Sequence, residues 1–161
     1  TITYSWSNGQ TGSSITLGQG DVGETITVTA SYTDGGNEEE SVTSTATSAV
    51  ANVNDAPTGS VTISGTATQG ETLTASNTLA DVDGLGTITY TWSNSATGSS
   101  ITLGQGDVGA TITVTASYTD TLGTEESVAS SATSAVANVN DLPTGSVTIG
   151  GTATQGQLLT A

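Results

Sequence analysis

Cysteine, histidine, lysine, arginine, methionine and phenylalanine are all missing from this chain of 161 residues. Each absence excludes something. Without Cys no disulfide can staple the fold. Without His or Cys a transition metal has few ligands to choose from. Acid–base and nucleophilic catalysis lose His, Cys and Lys together. A carboxylate pair could still hydrolyse a glycoside. A small repeated domain with short loops offers no evident cleft for that, so the chain reads as a non-enzyme. Without Lys, intramolecular Lys–Asn isopeptide bonds are impossible. With no Lys or Arg, nothing can neutralise a phosphate, which excludes nucleic acid and anionic membrane surfaces as partners. No long apolar run is present, so no membrane insertion is expected. No basic leader segment precedes the first strand at Thr1, and the chain reads as an internal stretch of a longer one.

What is present is acidic. Asp+Glu number 15, for a formal net charge of -15. Carboxylates with no internal cation must be balanced by salt, bound metal or a basic partner. Charged residues are only 9% of the chain and fall in clusters, unlike the dense acidic coat of a halophile. Most of the remainder is Thr, Ser, Gly, Ala and Val. Thr and Val favour strands and Gly favours turns. Such a composition also suits a flexible linker, but the alternation described below argues against one.

The chain repeats itself. Thr1-Ile2-Thr3-Tyr4-Ser5-Trp6-Ser7-Asn8 returns, with one change, as Thr87-Ile88-Thr89-Tyr90-Thr91-Trp92-Ser93-Asn94, an offset of 86 residues. Residues 11–23 equal 97–109, residues 25–33 equal 111–119, and residues 57–63 equal 143–149. The longest divergence, Asp34 to Ser41 against Asp120 to Ser127, marks a loop. The two prolines, Pro57 and Pro143, both follow an Asn-Val-Asn-Asp segment that reads as a linker. Residues 55–141 then form one complete repeat. Residues 1–54 are the C-terminal part of a preceding one, and residues 142–161 are the N-terminal part of the next. Residues 142–161 could also complete residues 1–54 of another copy, giving a head-to-tail fibre.

Within the complete repeat the apolar period is 2. Val61 and Ile63 share a face, as do Leu73 and Ala75. Ile88, Tyr90 and Trp92 follow, then Ile101 and Leu103, then Ile112, Val114, Ala116 and Tyr118. A last strand is expected from Ser127 to Val139, with a bulge near Ala132 to Ala135 where the phase changes. No segment has a helical period. Short strands around one buried Trp predict an all-β fold of tandem immunoglobulin-like antiparallel β-sandwiches. Trp6, Trp92 and the tyrosines fall on the apolar faces and read as core.

Tyr90-x-Trp92, Ala96-Thr97-Gly98-Ser99-Ser100, Leu103 and Asp107-Val108-Gly109-x-x-Ile112-x-Val114 form a motif set. Together with Gly65 to Glu71, Leu79-Ala80-Asp81-Val82-Asp83-Gly84 and Asn54-Asp55-Ala56-Pro57, they resemble the immunoglobulin-like or cadherin-like tandem repeats of giant type I-secreted, RTX-type bacterial adhesins. The likeness covers essentially the whole chain. It implies an extracellular, cell-surface or secreted-matrix array that holds a tip domain away from the cell or contributes to a biofilm. Its partners would be neighbouring repeats of the same chain and, in a fibre, other copies.

Calcium is the expected cofactor. Ca²⁺ takes about six to eight oxygen ligands, carboxylates above all, and the cadherin-type junction points the same way. An immunoglobulin-like topology would gather Asp55, Asp81, Asp83, Asp120, Glu125 and Glu126 at one pole, where like charges need a cation between them. Asp34 and Glu38 to Glu40 repeat that loop in the preceding copy. The other pole offers Glu71 and Asp107, with Asp21 as the earlier counterpart and Asp141 in the next linker. The alternative is that these groups are solvated loops, and an Asp-x-Gly turn such as that of Asp107 commonly caps its own backbone.

The expected function is that of a stalk or extender repeat stiffened by junctional calcium. One alternative is a matrix or sheath filament built by lateral packing or strand exchange. Another is a carbohydrate-binding module, for which the Thr-rich outer faces are the only feature. Those faces are equally what a solvated strand would carry.

Overall fold

The computed structural model describes all residues, 1–161. Nine strands form three antiparallel sheets of three, and no α-helix is present. Residues 1–54 contribute β1 (Thr3–Trp6), β2 (Val28–Thr33) and β3 (Glu39–Thr43), in the order β1-β2-β3. Residues 55–141 contribute β4 (Val61–Ser64), β5 (Thr72–Asn77), β6 (Thr89–Trp92), β7 (Ser100–Thr102), β8 (Val114–Thr119) and β9 (Glu125–Ala129). One sheet runs β4-β5-β7 and the other β6-β8-β9.

Alternation is what makes these strands. In β8, Val114, Ala116 and Tyr118 turn inward while Thr115 and Ser117 turn out. In β5, Leu73 and Ala75 are inward between exposed Thr72, Thr74 and Ser76. The inner faces meet in one core. Val61, Leu73, Ala75 and Ile101 come from one sheet, and Trp92, Val114, Ala116 and Tyr118 from the other. Two sheets sharing a core face to face are compatible with a β-sandwich. Trp92 fills its centre, and its indole N–H donates to the Gly98 carbonyl at 2.8 Å, so the ring carries no unsatisfied donor into the core.

The last strand is shorter than its apolar pattern predicts. β9 ends at Ala129. Beyond it, the Ser130 and Thr133 N–H groups still donate to the Val114 and Ile112 carbonyls, but side chains take over as acceptors. Ser130 Oγ accepts from the Val114 N–H at 3.1 Å, and Thr133 Oγ1 accepts from the Ile112 N–H at 3.0 Å. The hydroxyls stand in for backbone carbonyls, so the chain leaves the ladder without stranding the donors of its neighbour. Val136 and Ala137 then pair in parallel with Val108 and Thr68.

β1, β2 and β3 pair in the register of β6, β8 and β9, 86 residues apart. Thr3↔Ser31 through Trp6↔Val28 corresponds to Thr89↔Ser117 through Trp92↔Val114. Residues 1–54 hold no counterpart of β4 and β5. Residues 142–161 hold only a hairpin closed by Gly150 and Thr160.

Candidate functional site

Two turns stand side by side at one end of residues 55–141. The first, Asp81 to Gly84, joins β5 to β6, and the second, Asp120 to Thr124, joins β8 to β9. The Thr121 N–H donates to the Gly84 carbonyl at 3.2 Å, and the Thr121 hydroxyl donates to the Asp83 carbonyl. Gly84 is required here. Its φ is +93°, and a Cβ would collide with the Thr121 side chain.

The carboxylates at this end find only hydrogen-bond donors. Asp81 Oδ1 accepts from the Asp83 N–H at 2.9 Å, and its Oδ2 accepts from the Tyr118 hydroxyl at 2.5 Å. Tyr118 is buried. Loss of solvent, and then the neighbouring Asp81 carboxylate, hold its phenol well above the usual range. Asp83 is 2% exposed. Its Oδ1 accepts from Gln19 Nε2 at 2.8 Å, and its Oδ2 accepts from the Asp55 N–H at 2.7 Å. Glu126 faces the same side as Tyr118, its partner in the ladder, and accepts from Asn54 Nδ2 at 2.7 Å.

Asp120 differs. Its Oδ1 accepts from the Leu122 and Thr124 N–H groups at 2.9 and 2.8 Å. The Thr124 donor first, helped by Leu122 and Gly123, outweighs burial and holds the carboxyl below its ordinary range. Its Oδ2 is buried and has no partner. Asn52 Oδ1, in the run leading to Asp55, is the other buried side-chain acceptor without one.

The structure therefore brings together Asp81, Asp83, Asp120 and Glu126, with Asp55 contributing its backbone N–H. Glu125 is exposed where Glu126 is half-buried, as adjacent strand residues face opposite ways, and both line a shallow groove with Thr87, Thr89, Tyr118 and Ser127. Thr1, Thr3 and Ser41 line the same groove 86 residues earlier, with Glu39 in place of Glu125. Along β6 Trp92 is buried and Tyr90 half-buried, while Tyr4 and Tyr32 are exposed in the earlier copy.

At the other end the carboxylates serve local turns. Asp107 Oδ1 accepts from Asn94 Nδ2 at 2.9 Å, and Oδ2 accepts from the Gly104 N–H at 2.8 Å. Asp21 does the same with Asn8 at 2.9 Å and Gly18 at 2.8 Å. These donors hold both carboxyls below the ordinary range. The Asn94 amide leads for Asp107, and the Gly18 N–H leads for Asp21. Glu71 is exposed, and its side chain makes no hydrogen bond. Asp141 accepts from Gln69 Nε2 at 3.4 Å, while Gln69 Oε1 accepts from the Val139 N–H at 3.1 Å.

Sequence reasoning missed Gln19 and Gln69, named Asn54 only as part of the junction motif, and read Tyr118 as core without its hydrogen bond to Asp81. The Gln-Gly-Asp turn recurs as Gln19–Asp21 and Gln105–Asp107, and that repetition was the one available signal for Gln19.

For a hard cation the donor set is suitable in kind, since every side-chain donor at the Asp81 and Asp120 turns is oxygen. No three carboxylates close on a common point in this conformation. The feature that fits a cation is Asp120 Oδ2, an anionic atom buried with nothing opposite it. No family model, curated protein or solved structure matches the chain.

Proposed function

We propose that the chain is a stretch of an extracellular stalk, built from immunoglobulin-like units and stiffened by calcium where one unit meets the next. The strand order supports the fold part of this reading. First, second and fourth strands in one sheet, with third, fifth and sixth in the other, are compatible with an immunoglobulin-like sandwich lacking one strand. Sequence identity at an offset of 86 residues supports the tandem arrangement. Like units joined by short linkers behave as a quasi-one-dimensional rod.

The observation that carries the calcium reading is the unpartnered Asp120 Oδ2. It lies in the turn beside Gly84, where residues 1–54 reach residues 55–141 through Gln19 and Asn54. Asp120, Asp81, Asp83 and Glu126 would hold the ion. Bound there, it would supply the positive charge that this chain lacks and draw the two acidic turns together. The chain's own part is to keep these carboxylates gathered by backbone donors and by Tyr118. Net negative charge would keep neighbouring stalks apart.

The test is a thermal melt of the 161-residue chain in calcium and in chelator, with calorimetric titration. Calcium should raise the melting temperature and bind saturably, and Asp120→Asn should remove most of both effects. Equal melts with no binding heat would remove calcium from the reading. A binding heat unaffected by Asp120→Asn would move the ion elsewhere.

A further inference from the structure

Gln19 sits at the tip of the Gly18–Asp21 turn. Its side chain crosses to a residue 64 positions away, donating to Asp83 Oδ1 at 2.8 Å. The other oxygen of Asp83 accepts from the Asp55 backbone at 2.7 Å. One buried carboxylate is thus held from two directions, by the preceding body of the chain and by the linker. Around this point Val22 lies with Val82 and Leu122, which places apolar side chains on both sides of the contact.

The turn that presents Gln19 is prepared for the task. Asp21 binds the Gly18 N–H and the Asn8 amide, which fixes the turn in place. The same turn recurs at Gln105 with Gly104, Asn94 and Asp107 in the same roles. The Gln105 side chain makes no hydrogen bond within this chain. Two copies of one device are therefore present, one engaged and one free.

We propose that this turn is a docking surface for the Asp-x-Asp-Gly loop of the following unit, and that the Gln19–Asp83 bond sets the angle between consecutive units. Gln105 fits the equivalent loop of a further unit of this same sequence. Asp21 and Asp107 are positioning residues that aim the glutamine. The inference rests on the reading of the chain as successive like units. It does not need calcium, because the donors are an amide and a backbone N–H.

The test uses the whole chain and NMR residual dipolar couplings, measured in chelator and again in calcium. Residues 1–54 and 55–141 of the wild type should share one alignment tensor in both media. Gln19→Ala should split it into two. Gln19→Glu, which sets a second carboxylate against Asp83, should split it further. Gln105→Ala, the same substitution in the same turn without a partner, should leave the single tensor intact. Two tensors for the wild type in chelator would overturn the proposal, as would identical behaviour of the Gln19→Ala and Gln105→Ala variants. Failure of the calcium reading shows separately, as an absence of binding heat, and leaves these outcomes where they stand.

Discussion

Residues 1–54 and 87–140 carry nearly the same sequence and the same strand register, yet their side chains live in different surroundings. Tyr32 is 44% exposed and its counterpart Tyr118 is 5% exposed. Leu17 is 46% exposed and Leu103 is 1%. The difference is β4 and β5, which cover β6 and β8 and have no counterpart before β1. Pairing is therefore a local property, written in alternation and turns, and burial is a property of the partner sheet. Capping survives without the partner. Trp6 still donates to the Gly12 carbonyl at 2.9 Å, as Trp92 does to Gly98. At the junction the contrast reverses, because it is the earlier copy that has a further unit following it. Asn52 Oδ1 is buried, where Asn138 is exposed.

The largest test of this contrast is the tryptophan pair. Trp92 lies at the centre of a closed core, and removing a buried aromatic costs about 3–5 kcal/mol. Trp92→Ala should lower the main cooperative melt accordingly. Trp6→Ala should leave that transition nearly where it was, because Trp6 packs against no second sheet. A common loss for both variants would mean that residues 1–54 are covered in solution, and the contrast would fail.

How far the sequence discloses all this follows the same division. β4, β5, β6 and β8 fall where the period-2 pattern predicts, because inward and outward residues differ in kind. The end of β9 does not, because Ser130 and Thr133 replace backbone acceptors with hydroxyls, and no apolar period records that. At the acidic end, the gathering of Asp81, Asp83 and Asp120 follows from placing two loops at one pole. Glu125 and Glu126 fall within β9 rather than in the loop before it, so one is exposed and the other half-buried. The contacts of Gln19 and Asn54 stayed hidden because surface amides are common and their partners lie 64 and 72 residues away.

A second test turns to the hairpins. Leu73 is fully buried, and its counterpart Leu159, in residues 142–161, is 46% exposed. Leu73→Ala should cost about 2–5 kcal/mol in the melt of residues 55–141. Leu159→Ala should leave that melt alone. The outcome that sharpens the comparison is a concentration-dependent loss for Leu159→Ala. It would show the second hairpin seated on the open sheet β1-β2-β3 of another copy, as a head-to-tail fibre requires, and sizing of the same samples would register the assembly.

The smallest expected effect is the one in which the two regions should agree. Asp21 and Asp107 are held by the same local donors whether or not the sandwich is closed. Two influences act on them in opposite directions. Loss of solvent pushes both carboxyls up. The Gly and Asn donors push these two down, and they prevail. With folded values depressed, the stability these groups contribute is complete above the unfolded value of about 3.9 and is lost as pH falls through the folded one. Carboxyl-carbon titration by NMR should therefore place both below that value. Salt should not undo this, since at about 0.15 M charges more than roughly 8 Å away are screened while contact hydrogen bonds are not. Added salt should leave both residues depressed. Either residue titrating in the ordinary range would mean that its donors do not hold it, and would dissolve the cap on which the aim of Gln19 depends.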